Sequence, residues 1–155
     1  HPVLLTHDES ELERNLVKPI QASGVLVFRA KPSESFLLMR HADRLDLPKG
    51  RAEKGESQLE CALRELEEET GIPADAVEID LEFRFEIGYE IMSKDGPPRP
   101  KEVVIFLGEL TREVEIHCTE HEGYLWHPWN PPHAIQPQTI DPLLAAVAKF
   151  REGQR

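Results

Sequence analysis

Residues 50–72 read GRAEKGESQLECALRELEEETGI, and three of their glutamates, Glu65, Glu68 and Glu69, stand three and four residues apart. In a helix that spacing puts all three on one face. Like charges so placed repel and lower helix stability, so the pattern asks for a cation among the carboxylates. Hard oxygen ligands point to Mg2+ or Mn2+. The same stretch argues for the helix itself. Ser57 with Glu60 three residues on has the form of a capping box. Leu59, Ala62, Leu63 and Leu66 supply an apolar stripe, and Gly71 with Pro73 marks the stop after Thr70. One helix thus separates a core face from an acidic face.

Working outward, Pro48, Gly50 and Gly55 break the preceding segment, 41–55, into a loop. Gly24–Phe28 (GVLVF) and Phe36–Met39 (FLLM) read as strands joined by a hairpin turn over Lys31–Ser35. Residues 1–19 read as a polar arm or a short helix, capped by Asp8 or Ser10, running through Val17 and stopped by Pro19. Beyond the helix, Val77–Ile91 alternates like one or two half-exposed strands, and Ser93–Pro100 reads as a loop rich in Gly and Pro. Val103–Leu107 (VVIFL) is a buried strand, and Val114–Cys118 a shorter one. Trp126–Pro137, with prolines at 128, 131, 132 and 137, reads as a packed irregular segment. Asp141-Pro142 fits an N-cap followed by proline at the first helical position, opening a C-terminal helix over 141–151 with Leu144, Val147 and Ala148 inward. With no repeat and no linker, the 155 residues read as a single α/β domain.

Composition narrows the function. Lys and Arg number 18 against 29 Asp and Glu, a net charge of −11, which argues against DNA or RNA binding through a basic surface. An acidic chain still acts on polyanions where metal ions neutralise the site. No apolar run reaches membrane-spanning length, and the first residues turn polar too soon for a signal peptide. Cys61 and Cys118 lack CxxC spacing, so they read as reduced structural thiols of a cytoplasmic protein. His117, His121, His127 and His133 lack zinc-ligand spacing, so no zinc site is assigned. Oligomeric state stays open, and a monomer suffices.

Residues 50–72 match all nine fixed positions of the Nudix box, G-x5-E-x7-R-E-U-x-E-E-x-G-U with U aliphatic, so the chain resembles the Nudix hydrolases. The resemblance implies an α/β/α sandwich around a central mixed sheet and Mg2+-dependent hydrolysis of a diphosphate linkage. It implies Glu68 and Glu69 as metal ligands, Glu65 as a ligand or the base that deprotonates water, Glu56 in the metal shell, and the backbone carbonyl of Lys49 as a further ligand. Arg64 would pair with a carboxylate of the site, Glu56 foremost. Gly50 would let the backbone approach metal or phosphate, and Gly71 would end the helix. A run such as ELEEE is by itself an ordinary solvated helix face; the complete spacing favours the metal site.

Three further stretches bear on the substrate. LPKGRAEKGES over 47–57, KEVVIFL over 101–107 and EHEGYLW over 120–126 are similar, in that order, to segments of the asymmetric dinucleoside tetraphosphate hydrolases. The implied reaction splits diadenosine tetraphosphate into ATP and AMP. Lys101 and His41 would contact phosphates, Tyr89 and Tyr124 would stack on adenine, and Glu120 or Glu122 would add a metal ligand or base. Tyr124 and Trp126 alternate, so packing in the core is the competing reading. Asp46-Leu47 stands where those hydrolases commonly carry a tryptophan. The alternatives within the family are ADP-ribose, other nucleoside diphosphate derivatives, RNA 5′ ends and diphosphoinositol polyphosphates. The alternative of another class is a non-catalytic nucleotide sensor, against which the intact box weighs.

Overall fold

The computed structural model describes residues 18–154, so the N-terminal helix expected through Val17 lies outside the described residues. Among the described residues seven strands form one mixed sheet: β1 (Ile20–Arg29), β2 (Ser35–Arg40), β3 (Leu45–Asp46), β4 (Lys49–Arg51), β5 (Val77–Ser93), β6 (Gly96–Leu110) and β7 (Gly123–Pro128). The order is β3-β2-β1-β6-β5, with β4 also paired to β1 and β7 to β2. Among the described residues β1 and β6 form the parallel pair, from Ile20↔Lys101 to Phe28↔Glu109, and their central stretches, Val25–Phe28 and Val103–Leu107, are unbroken apolar runs because both sheet faces are covered there.

Among the described residues two α-helices cover the sheet. On one side α1 (Gln58–Thr70) packs Ala62 and Leu66 against Val25, Val27, Leu37, Met39 and Val104. On the other, α2 (Ile140–Gly153) packs Leu143, Leu144 and Val147 against Leu26, Phe28, Leu38 and Ile105. The period-2 alternation along each strand sends neighbouring residues to opposite cores, which yields the expected α/β/α sandwich. Among the described residues no helix is long and apolar enough to cross a membrane.

Helix α1 has the expected ends. Ser57 accepts from the Glu60 amide, Glu60 reaches back to the Ser57 amide, and Gly71 turns left-handed at φ 82° while donating to the Glu67 carbonyl. Other local readings need correction. The segment 41–55 is not all loop, because it holds β3 and β4, the second pairing with the first half of β1 where β2 has splayed away. Ser93–Pro100 is not a loop, because β6 already begins at Gly96 and forms a long hairpin with the single strand β5. That strand's register with β6 shifts twice, between Asp80 and Phe85 and between Ile91 and Ser93.

Val114–Cys118 is not a strand; Ile116 is buried and the His117 amide donates to Thr70 at the end of α1. The strand in this region is β7, which takes Trp126–Pro128 out of the expected irregular segment and pairs with β2. Asp141 does not cap α2; its Oδ1 accepts from the Ile135 and Gln136 amides, while Gln136 Oε1 takes the Thr139 and Ile140 amides. Ala148 is only half-buried, and Leu143 takes its place in the core.

Candidate active site

The turn from β4 into α1 and the exposed face of that helix bring four glutamates around one guanidinium. Arg64 grips Glu56 with two N–H groups, Nε to Oε2 at 2.6 Å and Nη2 to Oε1 at 3.0 Å. Its Nη1 donates to Glu65 Oε1 at 2.9 Å and to Glu68 Oε2 at 3.0 Å, with Glu53 at 3.6 Å. Nη2 also donates to the Arg51 carbonyl at 2.9 Å, so the guanidinium ties the helix to β4. The Glu53 amide donates to Glu56 and sets the loop around it. Hydrogen bonds from Arg64, then from the Glu53 amide, hold the Glu56 carboxyl down to about 2. Its carboxylate partners in turn raise the Arg64 pKa above the usual arginine range.

The three glutamates of the acidic face sit at different depths. Glu68 is exposed, Glu65 is largely covered, and Glu69 is buried. Burial raises the Glu65 pKa, with Arg64 opposing. Burial first and the Glu65 charge second push Glu69 up to about 8, while the backbone amide and charge of Lys49 pull the other way. Glu69 Oε2 is buried with no hydrogen-bond partner among the described residues, a rare condition for a native side chain. A Cβ on Gly50 would lie 2.1–2.3 Å from the Glu65 carboxyl group, so only glycine leaves room for that carboxylate against β4.

Among the described residues no three acidic, histidine or cysteine side chains form a ready ion cage. The reason is visible in the geometry: Arg64 draws Glu65 and Glu68 to itself and Glu69 points inward. The donor set nonetheless fits a hard divalent cation: all oxygen, more negative charge than one arginine balances, and one buried carboxylate oxygen without a partner.

On the sheet side of Glu69 stands a second group. Lys49 Nζ lies 3.1 Å and His41 Nε2 3.5 Å from Asp46 Oδ2. The His41 ring meets the His121 ring at 4.5 Å between centroids, and His121 Nε2 is 4.0 Å from Glu69 Oε1. Lys101 on β6 pairs with Tyr89 on β5, its Nζ 6.0 Å from the ring centroid. Burial and the neighbouring Lys49 charge lower the Lys101 pKa. Glu120 and Glu122 are both exposed; Glu120 acts electrostatically on both Glu65 and Glu69, while the Glu122 amide donates to the Arg40 carbonyl. Tyr124 on β7 is 40% exposed, against the core reading, and Trp126 packs inward with the Arg29 guanidinium 4.4 Å over its ring.

Asp46, the shared partner of Lys49 and His41, and His121 escaped the sequence reading. Asp46 carries no signal beyond its replacement of an expected tryptophan. His121 could have been found from its place between two outward glutamates, Glu120 and Glu122. Two cavities, about 520 Å3 beside Phe28 and Arg151 and about 540 Å3 beside Trp126, lie away from these residues. Charge and chemistry, rather than concavity, locate the site.

Residues 18–148 match the model of the NUDIX domain. The chain is 36% identical over 119 residues to the asymmetrical bis(5′-nucleosyl)-tetraphosphatase of Mus musculus, covering 69% of this chain and 78% of the mouse protein. It is 28% identical over 139 residues to an RNA pyrophosphohydrolase of Erythrobacter litoralis, covering 81% and 82% of the two chains. Among solved structures, a C. elegans Ap4A hydrolase in a binary complex superposes with a TM-score of 0.73 at 24% identity, covering 86% of this chain and 98% of that one.

Proposed function

The chain belongs to the Nudix hydrolase family, and on that premise we propose that it hydrolyses a dinucleoside polyphosphate, diadenosine tetraphosphate, to ATP and AMP with Mg2+ as cofactor. The observation that carries this reading is the position of Glu69: a buried carboxylate with an unpartnered oxygen, set between the Arg64 network and the Lys49–Asp46–His41 group. The identity with the mouse tetraphosphatase supports the choice of substrate.

Glu65, Glu68 and Glu69 would hold the metal, joined by Glu56, the Lys49 carbonyl and Glu120. When bound, Mg2+ supplies charge neutralisation for the phosphates and a more acidic water. Arg64 keeps Glu56, Glu65 and Glu68 convergent. Glu65, the less buried of the two raised carboxyls, is the candidate base toward the attacking water. Lys49, Lys101 and His41 would take phosphate oxygens, and Tyr89 and Tyr124 would offer ring faces to the adenines. Hydrolysis places the hydroxyl of water on one phosphorus and its proton on the departing phosphate chain. The free thiols of Cys61 and Cys118 fit a reducing cytoplasm.

The test is a substrate panel in 18O-water with Mg2+ and mass-spectrometric identification of products. It includes diadenosine tetraphosphate, ADP-ribose, 5′-triphosphate and capped RNA, and a diphosphoinositol polyphosphate. ATP and AMP as the preferred products support the reading. Faster turnover of another member refutes the substrate, and nucleotide binding with no turnover of any member points to a sensor.

A further inference from the structure

His121 lies outside the glutamate-rich segment, yet its side chain is only 4% exposed while its neighbours Glu120 and Glu122 face solvent. Three hydrogen bonds pin the loop that carries it. The His117 amide donates to the Thr70 carbonyl at 2.8 Å, Thr119 Oγ1 to the Glu68 carbonyl at 2.9 Å, and the Glu122 amide to the Arg40 carbonyl at 2.9 Å. The loop is therefore tied both to the last turn of α1 and to the end of β2, and the imidazole is directed into the space between Glu69 and His41. There it is 4.0 Å from Glu69 Oε1, longer than a direct hydrogen bond, and its ring packs edge-on against His41 at 4.5 Å.

Both His121 Nδ1 and Glu69 Oε2 are buried without a hydrogen-bond partner among the described residues. Unpartnered buried polar atoms are uncommon, and two on facing side chains mark a place where the fold keeps polar groups that an apolar residue could replace with less penalty.

We propose that His121 is a positioning residue, whose imidazole holds the Glu69 carboxylate in place for the divalent cation and braces His41 on the phosphate side. The inference rests on the reading of Glu69 as a metal ligand. A polar neighbour that orients a ligating side chain typically matters 10- to 100-fold in metal affinity or activity, by roughly that range. Such a neighbour works through ring nitrogen and shape together, which separates it from plain packing.

The test compares wild type, His121→Gln and His121→Phe by Mn2+ affinity with the metal alone, by kcat and KM for diadenosine tetraphosphate, and by thermal melting. Phenylalanine keeps the ring and removes the nitrogens; glutamine keeps hydrogen-bonding capacity. The Phe variant is expected to melt near wild type, bind Mn2+ about 10- to 100-fold more weakly and lose kcat by a similar factor with a smaller change in KM, while Gln recovers part of both. A Phe variant equal to wild type in Mn2+ affinity and kcat overturns the proposal, as do Gln and Phe variants that fall equally. If the Phe variant does not fold, His121→Leu takes its place under the same criteria. A wild type that binds Mn2+ but hydrolyses no nucleotide refutes the substrate reading alone, and the order of Mn2+ affinities then decides on His121. A wild type that binds no Mn2+ overturns the His121 proposal with it.

Discussion

Glu69→Gln should move stability and turnover in opposite directions. Glu69 is 7% exposed, and its carboxyl is pushed up to about 8 from an ordinary 4.5, by burial first and by Glu65 second. The folded protein therefore keeps this proton over a range where the unfolded chain has released it. The contribution to stability is complete below 4.5 and is lost as pH rises through 8. Each pH unit inside that window is worth about 1.4 kcal/mol, so from about pH 6 upward the metal-free wild type loses roughly 3 kcal/mol through this group. For a chain of this size that is about 5–10 °C in Tm.

The Gln variant cannot ionise here and lacks that slope. Excess Mg2+ should reverse the ranking, because only the wild type gains stability by binding it, and turnover of the variant should fall by orders of magnitude. The assay is thermal melting of both proteins from about pH 6 to pH 9, in EDTA and in Mg2+. Parallel pH–Tm curves in EDTA would refute the buried, repelled carboxylate. Full activity in the variant would refute the ligand assignment.

Three further outcomes are expected. Gly50→Ala brings a methyl group onto the Glu65 carboxyl, the mobile end of a side chain, so the fold should survive with a loss of about 1–2 kcal/mol while kcat collapses; calorimetry and kinetics on the same preparation separate the two. Arg64→Lys replaces a fork that grips Glu56 twice and still reaches Glu65 and Glu68 with a single point charge, so activity should drop at least about tenfold and Mn2+ titration should show weaker binding; wild-type kinetics would mean the network is ornamental. Tyr124→Ala should raise KM for diadenosine tetraphosphate with little change in Tm, since the ring is 40% exposed; a variant that fails to fold would return Tyr124 to the core.

Much of the helix was legible because its signals are local. Ser57, Glu60, Gly71 and the spacing of Leu66 with Ala62 act within one or two turns, and the structure realises each of them. The misread segments all depend on distant partners. Lys49–Arg51 becomes a strand only because β1 offers a free edge there, and Gly96–Pro100 extends only because β5 runs alongside. Gly and Pro in those segments look like loop formers until a neighbouring strand supplies the hydrogen bonds. Val114–Cys118 shows the converse: its alternation is strand-like, but the chain there bonds to the end of α1 rather than to a sheet edge. Asp141 likewise has the right residue type for a cap, and the preceding turn claims its carboxylate instead.

The candidate site divides along the same line. The sequence by itself determined that Glu65, Glu68 and Glu69 share a helix face and that Arg64 stands among them, because positions three and four apart on a helix are neighbours whatever surrounds it. Only the tertiary structure decided which of those carboxylates is different. Glu69 is buried and Glu68 exposed because β4 and the loop before β7 close over one side of α1. Only the tertiary structure brought His121 against Glu69, set His41 and Asp46 behind it, and placed Lys101 in the field of Lys49 and Asp46. They come from segments far apart in the chain, and burial and electrostatic environment are properties of what packs together, which no local spacing encodes.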